Sequence, residues 1–303
     1  MLFARGFTIK AGQEMGRVLI TGATGLCGQI CCRKFLDEGL EVFAVVKDAS
    51  SILPKGVHPL VLDLSSDWED IAFPDGLNQI VHLAQSPYFR EFPKNALDLF
   101  KVNIESTARL LDYGMRVGIE RFVYASSGGV YGNGAQAFKE NAPVVPSGHL
   151  GHYLGSKACS EMMIHNYASF FKVIILRPFF IYGPGQNKTM LLPRLFDRVA
   201  AYKPIQLQGS HGIRINPLHV EDASEAILRS SHLNESAIIN LAGPEVLSIR
   251  EICEAFGTFL GKTPVYEAIE ESPSDLIGDI SLMKTLLHEP EVRLRDALVN
   301  LAW

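Results

Sequence analysis

The feature that most constrains the fold is a glycine-rich stretch directly after the first apolar run of the chain. Residues 17–21 are mostly apolar and β-branched, as in a buried strand, and Gly22, Gly25 and Gly28 follow before a helical pattern. In such a strand–turn–helix unit the first glycine permits a tight turn, the second admits a pyrophosphate close to the backbone, and the third lets the helix pack on the strand. The helix N-terminus offers N–H groups and a positive dipole end to the phosphates. The stretch therefore predicts a dinucleotide-binding site. The other residues of the turn expected to line it are Thr24, Leu26 and Cys27.

Strand-like and helix-like patterns alternate from residue 17 to about residue 175. An amphipathic helix is predicted at 95–117, and a later strand at 238–241 is expected to return to the same sheet. The alternation predicts an α/β fold, a Rossmann-type doubly wound parallel sheet with helices on both faces. The further runs that read as strands of this sheet are 42–46, 60–64, 79–84, 121–127 and 172–176.

We expect three regions along the chain. Residues 1–15 carry no strong pattern and are interpreted as a tail. Residues 16–178 form the dinucleotide-binding domain, and residues 179–303 mostly form a smaller C-terminal substrate-binding lobe. Glycine and proline turns at 183–185 and 243–244 mark the crossings between the two.

Composition narrows the possible partners. The chain of 303 residues has a net charge of −5, which argues against a general affinity for nucleic acid or for an anionic membrane. We find no apolar run long enough to span a bilayer and no signal-peptide pattern. The five cysteines show no disulfide framework and no metal-ligand spacing, so we expect reduced thiols and no metal site. We therefore expect a cytoplasmic protein that acts on a small molecule.

The end of the second predicted strand bears on the choice of dinucleotide. Sites that prefer NAD usually end this strand with an acid that holds the ribose 2′-hydroxyl, but here Val46 is followed by Lys47. Lys47 suits a 2′-phosphate and favours NADP, although a solvated loop charge is equally compatible, and Asp48 would favour NAD. Asp63 ends the third predicted strand, where it would accept from an adenine amino group or cap the following turn. The other residues expected along the dinucleotide are Leu64, Leu83 and Ala84.

Tyr153 and Lys157 are spaced for proton transfer. Four residues apart on a helix, their side chains lie on one face, one turn apart. A free phenol titrates near ~10, and a fixed cation nearby lowers its pKa toward neutrality. Ser126 and Ser127 end the fifth predicted strand, at the edge where ligands of open α/β sheets bind. We therefore predict a catalytic site at this edge.

The chain resembles the extended short-chain dehydrogenase/reductases, specifically the NAD(P)-dependent epimerase/dehydratase family. The resemblance extends over nearly the whole chain from residue 17. The motifs that carry it, in chain order, are Thr21 to Gly28, His82-Leu83-Ala84, Asn103, Ser126-Ser127, Val130-Tyr131-Gly132, Tyr153 with Lys157, Arg177-Pro178, Tyr182-Gly183-Pro184 and His219-Val220-Glu221-Asp222.

The resemblance implies a role for each of five residues. Tyr153 is implied as the acid/base, and Lys157 as the residue that holds the nicotinamide ribose and depresses the pKa of Tyr153. Ser127 would hydrogen-bond the reacting oxygen, with Ser126 as its neighbour and substitute. Asn103 would support the backbone of the active site. The family also implies a cofactor contact at Pro178 and a homodimer.

Four positions separate this chain from some members of the family. Gly128 and Gly129 stand where sugar dehydratases and decarboxylases carry acids, so elimination lacks its extra acid and base. Phe180 replaces an asparagine that in many members touches the sugar diphosphate. Arg214 is the candidate to bind a substrate phosphate, or is a surface loop charge.

Three functions remain in competition at this stage. The first is 4-epimerisation of a nucleotide-linked sugar through a transient ketone. The second is an NADP-linked reductase or dehydrogenase of a sugar-derived or other carbonyl substrate, favoured by Lys47 and Phe180. The third, a catalytically silent NAD(P) sensor, is disfavoured because Tyr153, Lys157 and Ser127 are present. We place the epimerase narrowly ahead.

Overall fold

The computed structural model describes residues 16–68, 73–271 and 274–301; the predicted tail at 1–15 lies outside them. The strands of the large sheet are β1 (Arg17–Thr21), β2 (Glu41–Val46), β3 (His58–Val61), β4 (Gln79–His82), β5 (Arg121–Ala125), β6 (Lys172–Pro178) and β11 (Ala237–Leu241). The shorter strands are β7 (Ile181–Tyr182), β8 (Ile205–Gln208), β9 (Arg214–Ile215), β10 (Leu218–His219), β12 (Leu247–Ser248) and β13 (Tyr266–Ile269). The helices are α1 (Leu26–Asp37), α2 (Ala96–Phe100), α3 (Ser106–Val117), α4 (Gly151–His165), α5 (Leu191–Ala200), α6 (Val220–Ser230), α7 (Ile249–Leu260), α8 (Ser281–Leu286) and α9 (Leu294–Ala297).

The central sheet confirms the predicted doubly wound fold. Its strand order is β11-β6-β5-β4-β1-β2-β3, and every neighbouring pair is parallel. The order reverses between β1 and β4, which opens a crevice beyond the carboxyl ends of these strands. The late strand β11 pairs with β6, as the apolar pattern at 238–241 indicates.

Both faces of this sheet are buried, which explains the continuous apolar runs of its strands. On one face α1 and α6 pack around Val18, Val42 and Ile174. The other face forms a second apolar cluster that includes Leu19, Ile80 and residues of α3. The outermost strand β3 lies at 58–61 instead of the predicted 60–64, so Asp63 and Leu64 follow the strand rather than end it. Its residues are mostly exposed, as expected at a sheet edge.

The C-terminal part of the chain has its own apolar cluster. Helices α5 and α7 pack on each other and on the pair β8–β13 through residues such as Leu195, Val199, Ile252 and Phe256. The short pairs β7–β10 and β9–β12 contribute Tyr182 and Ile215 to this cluster. Among the residues that the structure describes, no helix is long and apolar enough to cross a membrane.

Candidate active site

The glycine turn between β1 and α1 leaves no room for side chains. Gly22 has a φ of +68°, and a Cβ there would lie 2.7 Å from the Ala84 nitrogen. A Cβ on Gly28 would lie 2.1 Å from the Gly22 oxygen, so this glycine is required for the close contact of α1 with the turn. Gly25 is the N-cap of α1 and supplies no side-chain hydrogen bond to the helix N–H groups. The turn thus has the shape and the donors that a dinucleotide phosphate requires.

A chain of hydrogen bonds behind the turn crosses from β1 to α3 through His82. Thr107 Oγ1 donates to the Asn103 carbonyl at 2.7 Å, so it accepts from His82 Nε2 at 2.9 Å. His82 Nδ1 then accepts from Thr21 Oγ1 at 2.6 Å, and Thr21 Oγ1 accepts from the Ala84 N–H. Burial lowers the pKa of His82 to about 3, which keeps this imidazole neutral. His82 is therefore a packed strand residue, and its hydrogen bonds fix the backbone at Ala84.

Three charged residues that follow β2 and β3 already have partners: Lys47, Asp48 and Asp63. Lys47 Nζ and Asp63 Oδ2 form an ion pair of 2.8 Å, in which the lysine side chain is 74% exposed. Asp63 Oδ1 also accepts from the N–H and hydroxyl of Ser65, so the turn-capping interpretation of Asp63 is correct. Asp48 Oδ1 likewise accepts from the N–H and hydroxyl of Ser50. The carboxylate of Asp63 thus lies beside the positive charge on which the preference for a 2′-phosphate depends.

Helix α4 brings Tyr153 and Lys157 to the carboxyl edge of the sheet. Both side chains are buried, and Lys157 Nζ donates to the Ala125 carbonyl at 2.7 Å at the end of β5. Tyr153 Oη donates to Gln85 Oε1 at 3.0 Å, just beyond β4. Ser127 lies close enough for its hydroxyl to affect the phenol. The structure thus places the three predicted catalytic side chains around one point beside the glycine turn.

The predicted lowering of the pKa of Tyr153 by Lys157 is wrong for this structure. Burial raises the pKa of Tyr153 to about 12, although a hydrogen bond with Ser127 opposes the rise. Burial also lowers the pKa of Lys157 to about 7, although Glu161 opposes this change. The physical reason is desolvation, which disfavours the charged form of both groups. Tyr153 is therefore a proton donor in this structure.

The two serines after β5 have different partners. Ser126 is buried and donates to Glu161 Oε1 at 2.5 Å. Glu161 also forms a buried ion pair with Arg177, whose NH2 lies 2.6 Å from Glu161 Oε2. Ser126 is thus held inside the fold, whereas half-buried Ser127 accepts from the Gly129 N–H at 3.2 Å. Ser127 is the serine that the structure leaves beside Tyr153.

Asn103 lies in a π-helical turn, Lys101–Glu105, inserted between α2 and α3. Such turns widen a helix locally and redirect its side chains. Asn103 Oδ1 accepts from the Ser86 N–H at 2.9 Å, and Nδ2 donates to Ser156 Oγ at 2.8 Å. The side chain therefore joins the loop after β4 to helix α4, in agreement with the supporting role that the family resemblance implies.

The side chains of Phe179 and Leu154 occupy the space beside Gly128 and Gly129. A Cβ on Gly128 would lie 2.5 Å from the ring of Phe179, and one on Gly129 would lie 2.8 Å from Leu154 Cδ2. An acidic side chain at either position would require these neighbours to move. The absence of a second acid or base at 128 and 129 is thus built into the packing.

The two predicted substrate residues are in unusual environments. Phe180 has a φ of 44°, a left-handed conformation that favours glycine or asparagine, and its half-buried ring packs between two apolar clusters. Arg214 Nε and NH2 donate to Asp275 Oδ2 at 2.9 and 2.6 Å, so its guanidinium is already paired. Of the other predicted contacts, Leu64 and Ala84 are buried, and Leu83 and Pro178 are half-buried at the ends of β4 and β6.

Two residues that the structure brings into the site, Glu161 and Gln85, are not among those predicted from the sequence. Glu161 could have been found, because it continues the four-residue spacing of Tyr153 and Lys157 on one face of α4. Gln85 follows Ala84 at the end of the fourth strand, but no sequence pattern connects it with a residue 68 positions later. His152 directly precedes Tyr153 in the sequence, but its ring packs on Phe92 with centroids 4.6 Å apart.

The chain is similar over most of its length to proteins that are named as UDP-sugar epimerases or were solved with a UDP-sugar bound. The model of the NAD dependent epimerase/dehydratase family matches residues 18–242. The chain is 28% identical to an uncharacterized UDP-glucose epimerase, YtcB, of Bacillus subtilis, over 94% of this chain and 96% of the relative. It is 26% identical to a UDP-glucuronate 4-epimerase of Thermodesulfobacterium geofontis, over 94% of each chain. A solved structure of MoeE5 with UDP-glucuronic acid and NAD superimposes with a TM-score of 0.80 at 25% identity, covering 94% of this chain and 97% of that chain.

Proposed function

Since the chain belongs to the NAD-dependent epimerase/dehydratase family, we propose that it is a 4-epimerase of a nucleotide-linked sugar, with UDP-glucuronic acid or UDP-glucose as substrate. The observation that carries the proposal is the set of side chains at the carboxyl edge of the sheet. Tyr153, Ser127 and Lys157 meet there, while Phe179 and Leu154 fill the places where a second acid or base would stand. Epimerisation by oxidation and reduction at one carbon needs only Tyr153, Ser127 and Lys157. The two relatives are named as UDP-sugar epimerases, and the MoeE5 structure contains UDP-glucuronic acid. Both support a UDP-sugar as the substrate.

Each side chain has a defined task in this reaction. Tyr153 accepts the proton of the sugar 4-hydroxyl as the ketone forms, and it returns a proton to the same oxygen as the 4-epimer forms. Ser127 hydrogen-bonds the same oxygen and orients it toward the phenol. Lys157 binds ribose hydroxyls and supplies positive charge beside the phenol when protonated. The chemistry supplied by a bound nicotinamide is reversible removal of hydride from the sugar carbon.

The burial of Tyr153 has a consequence for this mechanism. A phenol with a pKa of about 12 is a weak source of phenolate at neutral pH. A positive nicotinamide ring bound beside it would favour the phenolate and lower this pKa. We therefore propose that the base form of Tyr153 is produced only when the dinucleotide is in place.

The cofactor is a nicotinamide dinucleotide, and we propose that it is NAD. The sequence preference for NADP depends on a Lys47 charge that is free to meet a 2′-phosphate, and Asp63 already pairs with that charge at 2.8 Å. The MoeE5 structure contains NAD, which supports the same choice. Cofactor released from the purified protein by denaturation and identified by mass spectrometry tests this. Release of NADP, or binding of NADP tighter than NAD, would return the choice to NADP.

The test of the proposed function is conversion of UDP-sugars without added cofactor. We expect purified protein to convert UDP-glucuronic acid or UDP-glucose to its 4-epimer, observed by ¹H NMR of the anomeric proton. Tyr153→Phe should lower kcat at least ~100-fold, since general acid–base groups contribute that much or more, while dinucleotide binding is retained. Full activity of Tyr153→Phe would exclude the mechanism. Stoichiometric consumption of NADPH with a carbonyl substrate, and no epimer, would instead support the reductase.

We also propose that the protein is a cytoplasmic homodimer whose subunits meet at α2 and α4. An exposed apolar surface supports this, which we call the α2–α4 surface: Leu97, Phe100 and Met162, with side chains 77%, 48% and 71% exposed. Burial of such a surface against a second copy would remove apolar area from water. The buried thiols Cys31, Cys32 and Cys253 are free, which suits a reducing compartment.

A further inference from the structure

Gln85 contacts the reacting atom of Tyr153. It follows Ala84 directly beyond β4, and its Oε1 accepts the phenolic hydrogen of Tyr153 at 3.0 Å. Its side chain is exposed at the crevice, whereas Tyr153 is buried except for 9% of its surface. Phe89 packs on the ring of Tyr153 with centroids 5.2 Å apart and limits its movement. The hydroxyl of Tyr153 is thus presented to the carboxamide of Gln85.

A chain of hydrogen bonds links the backbone next to Gln85 to the backbone of Tyr153. The N–H of Ser86, next to Gln85, donates to Asn103 Oδ1, and Asn103 Nδ2 donates to Ser156 Oγ. Ser156 Oγ in turn donates to the Tyr153 carbonyl at 2.7 Å. Ser86 is fully buried, so the loop that carries Gln85 has little freedom. The backbone positions that bring Gln85 next to Tyr153 are therefore fixed by the fold.

We infer that Gln85 is a catalytic residue that pairs with both protonation states of Tyr153. A carboxamide carries an acceptor oxygen and a donor NH₂ group on one planar unit. The oxygen accepts from the phenol, as in this structure. Rotation about the last side-chain bond presents the NH₂ group to a phenolate instead. The role in epimerisation depends on the proposed function, but the hydrogen bond and its effect on the phenol do not.

Other groups around Tyr153 are fixed in different interactions. Lys157 donates to a backbone carbonyl, and His152 packs on Phe92. Asp98 accepts from Ser86 Oγ at 2.5 Å. Glu161 is paired with Arg177, and buried Tyr124, whose pKa burial raises, stays neutral. Ser127 is the second hydroxyl beside the phenol. A change of charge at Gln85 would therefore act on Tyr153 through the hydrogen bond that the two share.

The first experiment needs neither substrate nor cofactor. The protein contains nine tyrosines, which can be replaced throughout by 3-fluorotyrosine and observed by ¹⁹F NMR. The signal that disappears in Tyr153→Phe belongs to Tyr153. We expect Gln85→Ala and Gln85→Glu to shift this signal, because ¹⁹F reports hydrogen bonding of the adjacent hydroxyl. The matched control is Gln206→Glu, which adds the same charge at an exposed position of β8.

The second experiment measures the pH dependence of turnover. A carboxylate at position 85 cannot donate and repels a phenolate, so Gln85→Glu should move the acidic limb of the kcat profile upward by about one pH unit. At neutral pH this is a roughly tenfold loss in kcat. Gln85→Ala should also lower kcat about tenfold, with KM nearly unchanged, because the contact is to Tyr153 and not to the sugar.

The outcomes separate this inference from the proposed function. An unmoved ¹⁹F signal in both Gln85 variants overturns the inference whether or not the protein is an epimerase. A moved signal with a wild-type pH profile and kcat in both variants overturns the catalytic role. Shifted signals in a protein without epimerase activity would overturn the proposed function alone. Wild-type behaviour of Gln206→Glu is expected in both measurements.

Discussion

Tyr153 shows how burial and hydrogen bonding act against each other on one side chain. Removal from water raises the pKa of its phenol to about 12, while the hydroxyl of Ser127 lowers it. The same burial lowers the pKa of Lys157 to about 7. Burial thus disfavours the charged form of both residues, and the positive charge of a bound nicotinamide ring would favour the phenolate of Tyr153.

Gly128 provides a test of whether packing against Phe179 excludes a side chain, and with it an added acid or base, at this position. We expect Gly128→Ala to destabilise the protein by about 1–3 kcal/mol, because its Cβ would lie 2.5 Å from the ring of Phe179. The matched control is Gly155→Ala in α4, where no atom lies within 4 Å of the new Cβ. Alanine favours a helix, so this control should gain about 1 kcal/mol. Urea unfolding of the three proteins measures both, and equal stability of Gly128→Ala and wild type would contradict the packing argument.

At the scale of elements, three segments supply the site and one residue connects two of them. Strand β4 leads to Gln85, β5 to Ser127, and α4 carries Tyr153. The π-helical turn 101–105 directs Asn103 between the loop after β4 and α4. Because this turn breaks the regular helical spacing, the periodicity of residues 95–117 predicts the helix but not the turn.

The ion pair between Glu161 and Arg177 joins α4 to β6 and should be required for stability. Both side chains are at least 90% buried, and Arg177 donates to both carboxylate oxygens. We expect Glu161→Gln to destabilise the protein by about 3 kcal/mol or more, since it leaves a buried guanidinium without its charge partner. Asp112→Asn is the control, because its pair with Arg116 is exposed and should contribute less than about 0.5 kcal/mol. Thermal unfolding that ranks the two variants equally would argue against this role.

At the scale of the whole molecule, the crevice lies where the strand order of the large sheet reverses. The C-terminal cluster around α5 and α7 is separate from the two clusters of that sheet. The Lys47–Asp63 pair and the glycine turn lie near β1 to β3, while Tyr153 and Lys157 lie beyond β4 and β5. An extended ligand bound along this edge would therefore contact both sets of residues.

The α2–α4 surface gives a prediction about assembly. We expect the wild-type protein to be a dimer by light scattering after gel filtration, and Leu97→Asp with Met162→Asp to shift it toward monomer. A buried carboxylate without a partner would destabilise the interface. Ile52→Asp is the control, since Ile52 is 82% exposed and lies outside this surface. A wild-type monomer, or an unchanged dimer in the double variant, would exclude this interface.

The amino-acid sequence by itself determined the family and the doubly wound sheet, and it indicated where the candidate site residues lie along the chain. These depend on local patterns: the glycines of the turn, the apolar strands, and the spacing of Tyr153 and Lys157 on one helix. Such patterns depend on a few neighbouring residues and can be read without knowing what packs against them.

Only the tertiary structure decided which partner each side chain finds. Gln85 pairs with Tyr153 across 68 residues, Lys47 with Asp63, and Ser126 with Glu161. It also decided the direction of the pKa shift at Tyr153. The pKa is raised, although the spacing of Tyr153 and Lys157 in the sequence predicts that it is lowered. The physical reason is that desolvation and hydrogen bonding depend on every group around a side chain, and those groups come from distant parts of the chain.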